Sequence, residues 1–165
     1  MTLKPRRSYE AGHRPKFLVV VDDSEECDRA LYFAARRAGR VGASLALLAV
    51  ISPADFQHWL GVGSLMEAEA AEEAGQRLEA AAARARAIAG IEPEQIIRTG
   101  PKADEILALI EEDEDISLLV VAAGSGSEGP GPLVTHLAGK TAASFPIPIA
   151  IVPGALRDAD IDALA

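Results

Sequence analysis

Four short apolar runs, broken by a single polar residue, Ser117, constrain this chain more than any other feature: residues 17–21 (FLVVV), 45–51 (LALLAVI), 116–123 (ISLLVVAA) and 149–152 (IAIV). A strand with one wetted face alternates apolar and polar residues. Runs like these suit strands covered on both faces, as in a parallel sheet. A shorter fifth run, around Gln95, Ile96 and Ile97, lies within 91–98. Between the runs the period changes to that of a helix. Cys27, Leu31, Ala34, Ala38 and Val41 recur at steps of three and four, and the alanine-rich 65–89 segment aligns Ala71, Gly75, Leu78, Ala82, Ala85 and Ala89. Ile106, Leu107, Leu109 and Ile110 make a third apolar face, and Val134, Leu137, Ala138, Thr141, Ala142 and Phe145 a fourth. The order β-α-β-α-β-α-β-α-β predicts an α/β domain with a parallel sheet and right-handed crossovers.

Punctuation supports these boundaries. Asp22-Asp23-Ser24-Glu25-Glu26 offers an N-cap at Asp23 or Ser24 and acids for the first helical turn. Gly39 and Gly42 close that helix, and Ser52-Pro53 stops the second strand. Thr99-Gly100-Pro101 opens the third helix, and Pro146-Ile147-Pro148 ends the fourth. Cys27 falls on the buried stripe and reads as a core residue rather than a reactive thiol. Residues 52–64, with Phe56, His58, Trp59, Gly61 and Gly63, read as irregular: a functional lid or a loosely ordered loop.

At 165 residues the chain suits one domain, over 16–154. Residues 1–15 read as a mobile arm and the acidic 155–165 as a weakly structured tail. A net charge of −9 argues against a nucleic-acid partner, because that affinity comes from Lys and Arg neutralising phosphates. The single cysteine excludes an intrachain disulfide and fits a reducing cytoplasm. The first apolar run stops at Asp22-Asp23, too short for a leader or a membrane span. The acid run 111–115 lacks the spacing of a calcium loop and reads as a solvated helix end. His13, His58 and His136 lie in an arm, a loop and a helix start, so no catalytic set is expected.

The chemistry concentrates in Gly124-Ser125-Gly126-Ser127-Glu128-Gly129-Pro130-Gly131-Pro132, which follows a strand. Glycines there leave backbone N–H groups bare, and phosphate is the usual guest of such groups. Residues 124–129 match the dinucleotide fingerprint G-x-G-x-x-G literally, but Pro130 and Pro132 keep a helix from opening directly and the motif lies late in the chain. Gly139-Lys140-Thr141 matches only the tail of a P-loop, since Val134 stands where the leading glycine is needed. Locally, Lys140 remains a point charge and Thr141 a neighbouring hydroxyl.

The spacing Gly126-x2-Gly129-x9-Gly139 resembles the G-x2-G-x9-G-[S/T] motif of nucleotide-binding members of the universal stress protein family. Val21-Asp22-Asp23-Ser24, Gly100-Pro101, the 120–124 run and Phe145-Pro146-Ile147-Pro148-Ile149 extend that resemblance over about residues 16–153. It implies a Rossmann-like, adenine nucleotide alpha hydrolase-like three-layer sandwich with strand order 3-2-1-4-5 and helices on both faces. It further implies ATP, alone or with Mg²⁺, with adenine near Asp22 and Val50, beside Val21. The phosphates would lie on the glycine loop and the N-terminus of the last helix, here Gly124, Gly126, Gly129, Gly139 and Lys140, with Ala123 and Thr141 also in the binding set. It implies a cytoplasmic homodimer through the last strand (Ile147, Ile149, Ile151, Val152). Lys140 departs from the motif's hydroxyl residue. Three functions stay open: a nucleotide-binding regulatory module, a nucleotide-free dimeric adaptor, and a slow ATP hydrolase.

Overall fold

The computed structural model describes residues 4–53 and 63–165, so expectations for Phe56, His58, Trp59 and Gly61 lie outside the described residues. The elements are β1 (Lys16–Val20), α1 (Cys27–Val41), β2 (Ser44–Ile51), α2 (Gly63–Ala89), β3 (Glu94–Thr99), α3 (Lys102–Glu112), β4 (Ile116–Ala123), α4 (Pro132–Ala138), β5 (Ile149–Pro153) and α5 (Asp158–Leu164). The strands form one sheet in the order β3-β2-β1-β4-β5, and every neighbouring pair is parallel.

The apolar runs divide by strand alternation between two cores. Leu18, Val20, Leu48, Leu119 and Val121 face α3 and α4, where they pack with Ile106, Leu109, Ile110, Val134 and Leu137. Phe17, Val19, Val21, Leu45, Leu47 and Val120 face α1, α2 and α5. Each fully buried Leu, Ile or Val contributes about 1.5–3 kcal/mol, and β1 supplies them to both faces because it lies third of five. Alanines at 30, 34, 35 and 38 let α1 approach the sheet closely, as do Ala74, Ala81, Ala82 and Ala85 on α2. The α2 stripe is therefore rotated slightly from the expected one, with Ala71, Gly75 and Ala89 only half-buried.

The first helix opens later than the acids suggest. Asp22 Oδ1 accepts the Ser24 N–H at 2.9 Å and its hydroxyl at 2.5 Å. That local turn occupies the capping groups, so the position before Cys27 is Glu26, with no side-chain cap. At the other end Gly42 adopts φ 73°, and Val41 is half exposed rather than on the core stripe.

Three expectations are corrected. The fourth helix does not run to Phe145: α4 ends at Ala138, and only a 3₁₀ turn, Ala142–Ser144, follows. The Thr141 hydroxyl donates to the His136 carbonyl at 2.9 Å, and Pro146 and Pro148 disfavour helix just beyond. The N-terminal segment from residue 4 is not free. The Arg6 guanidinium donates to the carbonyls of Ile110 (2.7 Å) and Asp113 (3.1 Å) at the end of α3, Arg7 N–H bonds to Glu114 O, and Ser8 is buried. Nor is the acidic tail loose. It forms α5, with Ile161 fully buried, Tyr32 and Arg36 both bonding Asp162, and Arg29 bonding Asp158 at 2.7 Å.

Candidate ligand clefts at the carboxyl edge

The chain leaves β1 toward β2 but leaves β4 toward β5, so its direction reverses between adjacent strands β1 and β4. Loops that diverge from such a point leave a crevice at the carboxyl edge. The first loop, residues 21–26, carries Asp22, half-buried and fixed through Ser24. Its other oxygen, Oδ2, lies 4.0 Å from Lys102 Nζ, at the first residue of α3. The second loop, 124–131, is held by its own backbone. Gly124 N–H donates to Pro130 O at 3.1 Å and Gly129 N–H to Gly126 O at 3.2 Å. Gly129 (φ 85°) and Gly131 (φ 103°) supply the conformation that a side chain would strain.

These loops border three connected recesses. A cleft of ≈ 400 Å³ between the ends of β1 and β2 and helices α2 and α3 is lined by Val21, Asp22, Val50, Arg77 and Lys102, among others. A smaller one of ≈ 250 Å³ lies where Asp22 and Lys102 face Pro132, Leu133 and Val134. The largest, ≈ 850 Å³, runs along Gly124, Ser125, Gly126, Ser127 and Gly129. Among the described residues, the N–H groups of Ser125, Gly126 and Ser127 have no backbone acceptor, which fits an anion-binding turn. A Cβ on Gly124 would sit 3.0 Å from Gly129 O and 3.2 Å from Glu26 Oε1, so the loop needs glycine there.

The charge of the large cleft is lopsided. Among the described residues, Asp23, Glu25, Glu26, Asp28 and Glu128 line it with one cation, Arg29. That guanidinium is already bonded to Asp28 (2.6 Å) and Asp158 (2.7 Å). Burial opposes ionisation of Asp28, but hydrogen bonds from Arg84 and Arg29 outweigh it and hold the carboxyl below the usual range. Cys27 also borders the smaller recess; burial pushes its thiol up to about 11, which leaves it protonated at neutral pH.

The structure therefore gathers Val21, Asp22 and Val50 on one side and Gly124, Gly126 and Gly129 on the other. Ala123 ends β4 behind them, its carbonyl accepting the Gly154 N–H at 2.8 Å. Gly139, Lys140 and Thr141 are placed otherwise. They are exposed, follow the C-terminal end of α4 rather than open a helix, and lie outside the residues lining the three clefts. Two cations escaped the sequence reading, Lys102 and Arg77. The position of Lys102, directly after Gly100-Pro101 where the chain leaves β3, was the available signal; Arg77 is hidden in a polar helical face. Gly154 also belongs to the site, because a Cβ there would stand 2.5 Å from Ala123 O.

Known structures share this architecture. The universal stress protein UspA from Lactobacillus plantarum superposes with a TM-score of 0.68 at 19% identity, over 84% of this chain and 97% of that one. A universal stress protein in complex with cAMP gives 0.60 at 21% identity (84% and 96%). One from Archaeoglobus fulgidus in complex with dAMP gives 0.54 at 22% (84% and 96%). At such identities the likeness is one of fold. No curated protein sequence is significantly similar to the chain. The sequence profile of the Universal stress protein family matches residues 13–153, most of the chain, and by sequence and fold together this protein belongs to that family.

Proposed function

We propose that the chain is a cytoplasmic regulatory module that binds ATP or a related adenine nucleotide at the carboxyl edge between β1 and β4. The observation that carries this reading is the juxtaposition, across the reversal point, of a half-buried Asp22 with an apolar wall at Val21 and Val50, and a glycine turn with unpaired N–H groups. The base would lie against Val21 and Val50 and the phosphate end would point toward 124–129. Two relatives of the same fold were solved with adenine nucleotides, cAMP and dAMP, which supports the ligand class. A slow hydrolase finds no support, since the Lys140 that would stabilise charge lies outside the clefts.

Protein purified without added nucleotide is denatured and its supernatant assayed for adenine, and adenine nucleotides are titrated by calorimetry. Micromolar binding that weakens at least tenfold in Asp22→Ala and is unchanged in Lys140→Ala is the expected result. No bound adenine and no measurable heat with adenosine, AMP or ATP would overturn the reading in favour of the nucleotide-free adaptor.

A dimer through β5 is the accompanying proposal. The strand is an edge of the sheet, and Ile151 is 40% exposed on it. A solution mass of two chains at micromolar concentration, falling to one in Ile151→Lys, is expected.

A further inference from the structure

The cations of the crevice do not sit where a triphosphate would need them. Lys102 lines both the cleft at Val21 and Val50 and the small recess beside α4, so it stands at the passage between them. Arg77 lines the same base-side cleft and has no hydrogen bond or ion pair among the described residues. Among the described residues, Lys102 is shared only with Asp22, at 4.0 Å. Against these two stand Asp22, Asp23 and Glu73. Beyond the passage the balance changes. Among the described residues, the glycine-side cleft offers five carboxylates against one guanidinium that two aspartates already hold. Glu26 reaches the loop itself, its Oε1 within 3.2 Å of where a Gly124 Cβ would be.

We infer that Lys102, with Arg77, selects an adenosine carrying a single phosphate over a di- or triphosphate. This rests on the adenine-nucleotide reading and names the member of that class. A first phosphate leaving the base-side cleft meets Lys102, a compact point charge on a flexible stem that can turn from Asp22 to the phosphate. Second and third phosphates would extend into the carboxylate-lined cleft, where like charges at close range disfavour the complex.

The test compares adenosine, AMP and ATP by calorimetry on the wild type, Lys102→Met and the double variant Glu26→Gln, Glu128→Gln, in EDTA and again with Mg²⁺. AMP binding at least tenfold tighter than ATP in both conditions is expected. Lys102→Met should lower AMP affinity about tenfold and leave adenosine within twofold; the residue is 40% exposed, so the variant folds. The double variant should narrow the gap between AMP and ATP. ATP binding as tightly as AMP in either condition, or AMP affinity unmoved by Lys102→Met, overturns this inference while leaving the adenine reading standing. If adenosine, AMP and ATP all fail to bind the wild type, the adenine reading itself falls.

Discussion

The two loops that flank the reversal point are built by opposite means. Residues 21–26 are fixed by a side chain: one carboxylate oxygen of Asp22 holds Ser24 twice, and the other faces Lys102. Residues 124–131 are fixed mainly by backbone, with Gly124 bonded to Pro130, Gly129 to Gly126, and two glycines at positive φ; the one side-chain bond among the described residues is the Thr135 hydroxyl donating to Gly131 O at 2.8 Å. The first loop feeds a helix packed along its whole length; the second feeds a helix of only seven residues. A side-chain-fixed loop presents a specific chemical group, whereas a backbone-fixed loop presents N–H groups that accept any anion of suitable size. On the proposed reading, the contrast divides recognition of a nucleotide into a base half and a phosphate half.

The contrast breaks first where the glycine loop meets β5. Gly154→Ala would force a Cβ to 2.5 Å from Ala123 O, against a backbone that cannot yield, and should lower stability by about 2–3 kcal/mol in urea unfolding. Asp22→Ala removes both bonds to Ser24 and should cost about 1–2 kcal/mol, with Asp22→Asn recovering part of it. In the second loop only conformation should count. Gly129→Ala, at φ 85°, should cost about 1 kcal/mol. Gly126→Ala, with nothing within 4 Å of its Cβ, should stay within about 0.5 kcal/mol.

The smallest effect sharpens the electrostatic side. Asp28 has a folded pKa below its unfolded one, so its stabilisation is fully present above the unfolded value and is lost as pH falls through the folded one. Its side chain is 39% exposed, so screening reduces the benefit to about 0.5 kcal/mol. Asp28→Asn should therefore be slightly less stable than the wild type at pH 7. The difference should vanish in acid, as read from urea midpoints across pH.

Legibility in the sequence follows the same division. Strands set in a sheet leave apolar runs, so β4 has the residue bounds that its composition suggests, and β5, although a half-exposed edge strand, differs by one residue, at Pro153. Asp22 and Gly124 could be placed because both stand directly after such runs. What lies beyond the glycines was less legible, because helix periodicity in Val134, Leu137, Thr141 and Phe145 continues across a stretch where Gly139 and two prolines stop the helix. Lys102, Arg77 and the docking of Asp158 and Asp162 on α1 depend on charges brought together from distant parts of the chain. No periodicity records them. The N-terminal segment failed for the same reason: Arg6 satisfies carbonyls at the end of α3, more than a hundred positions away.

The central claim is that the crevice between the two loops holds an adenine nucleotide, and backbone amide NMR during an AMP titration tests it most directly. The account predicts shifts concentrated at Asp22, Val50, Lys102, Gly124, Gly126 and Gly129, with Lys140 and Thr141 unmoved. Shifts centred on Gly139, Lys140 and Thr141, or none at the carboxyl edge of β1 and β4 at saturating AMP, would contradict it.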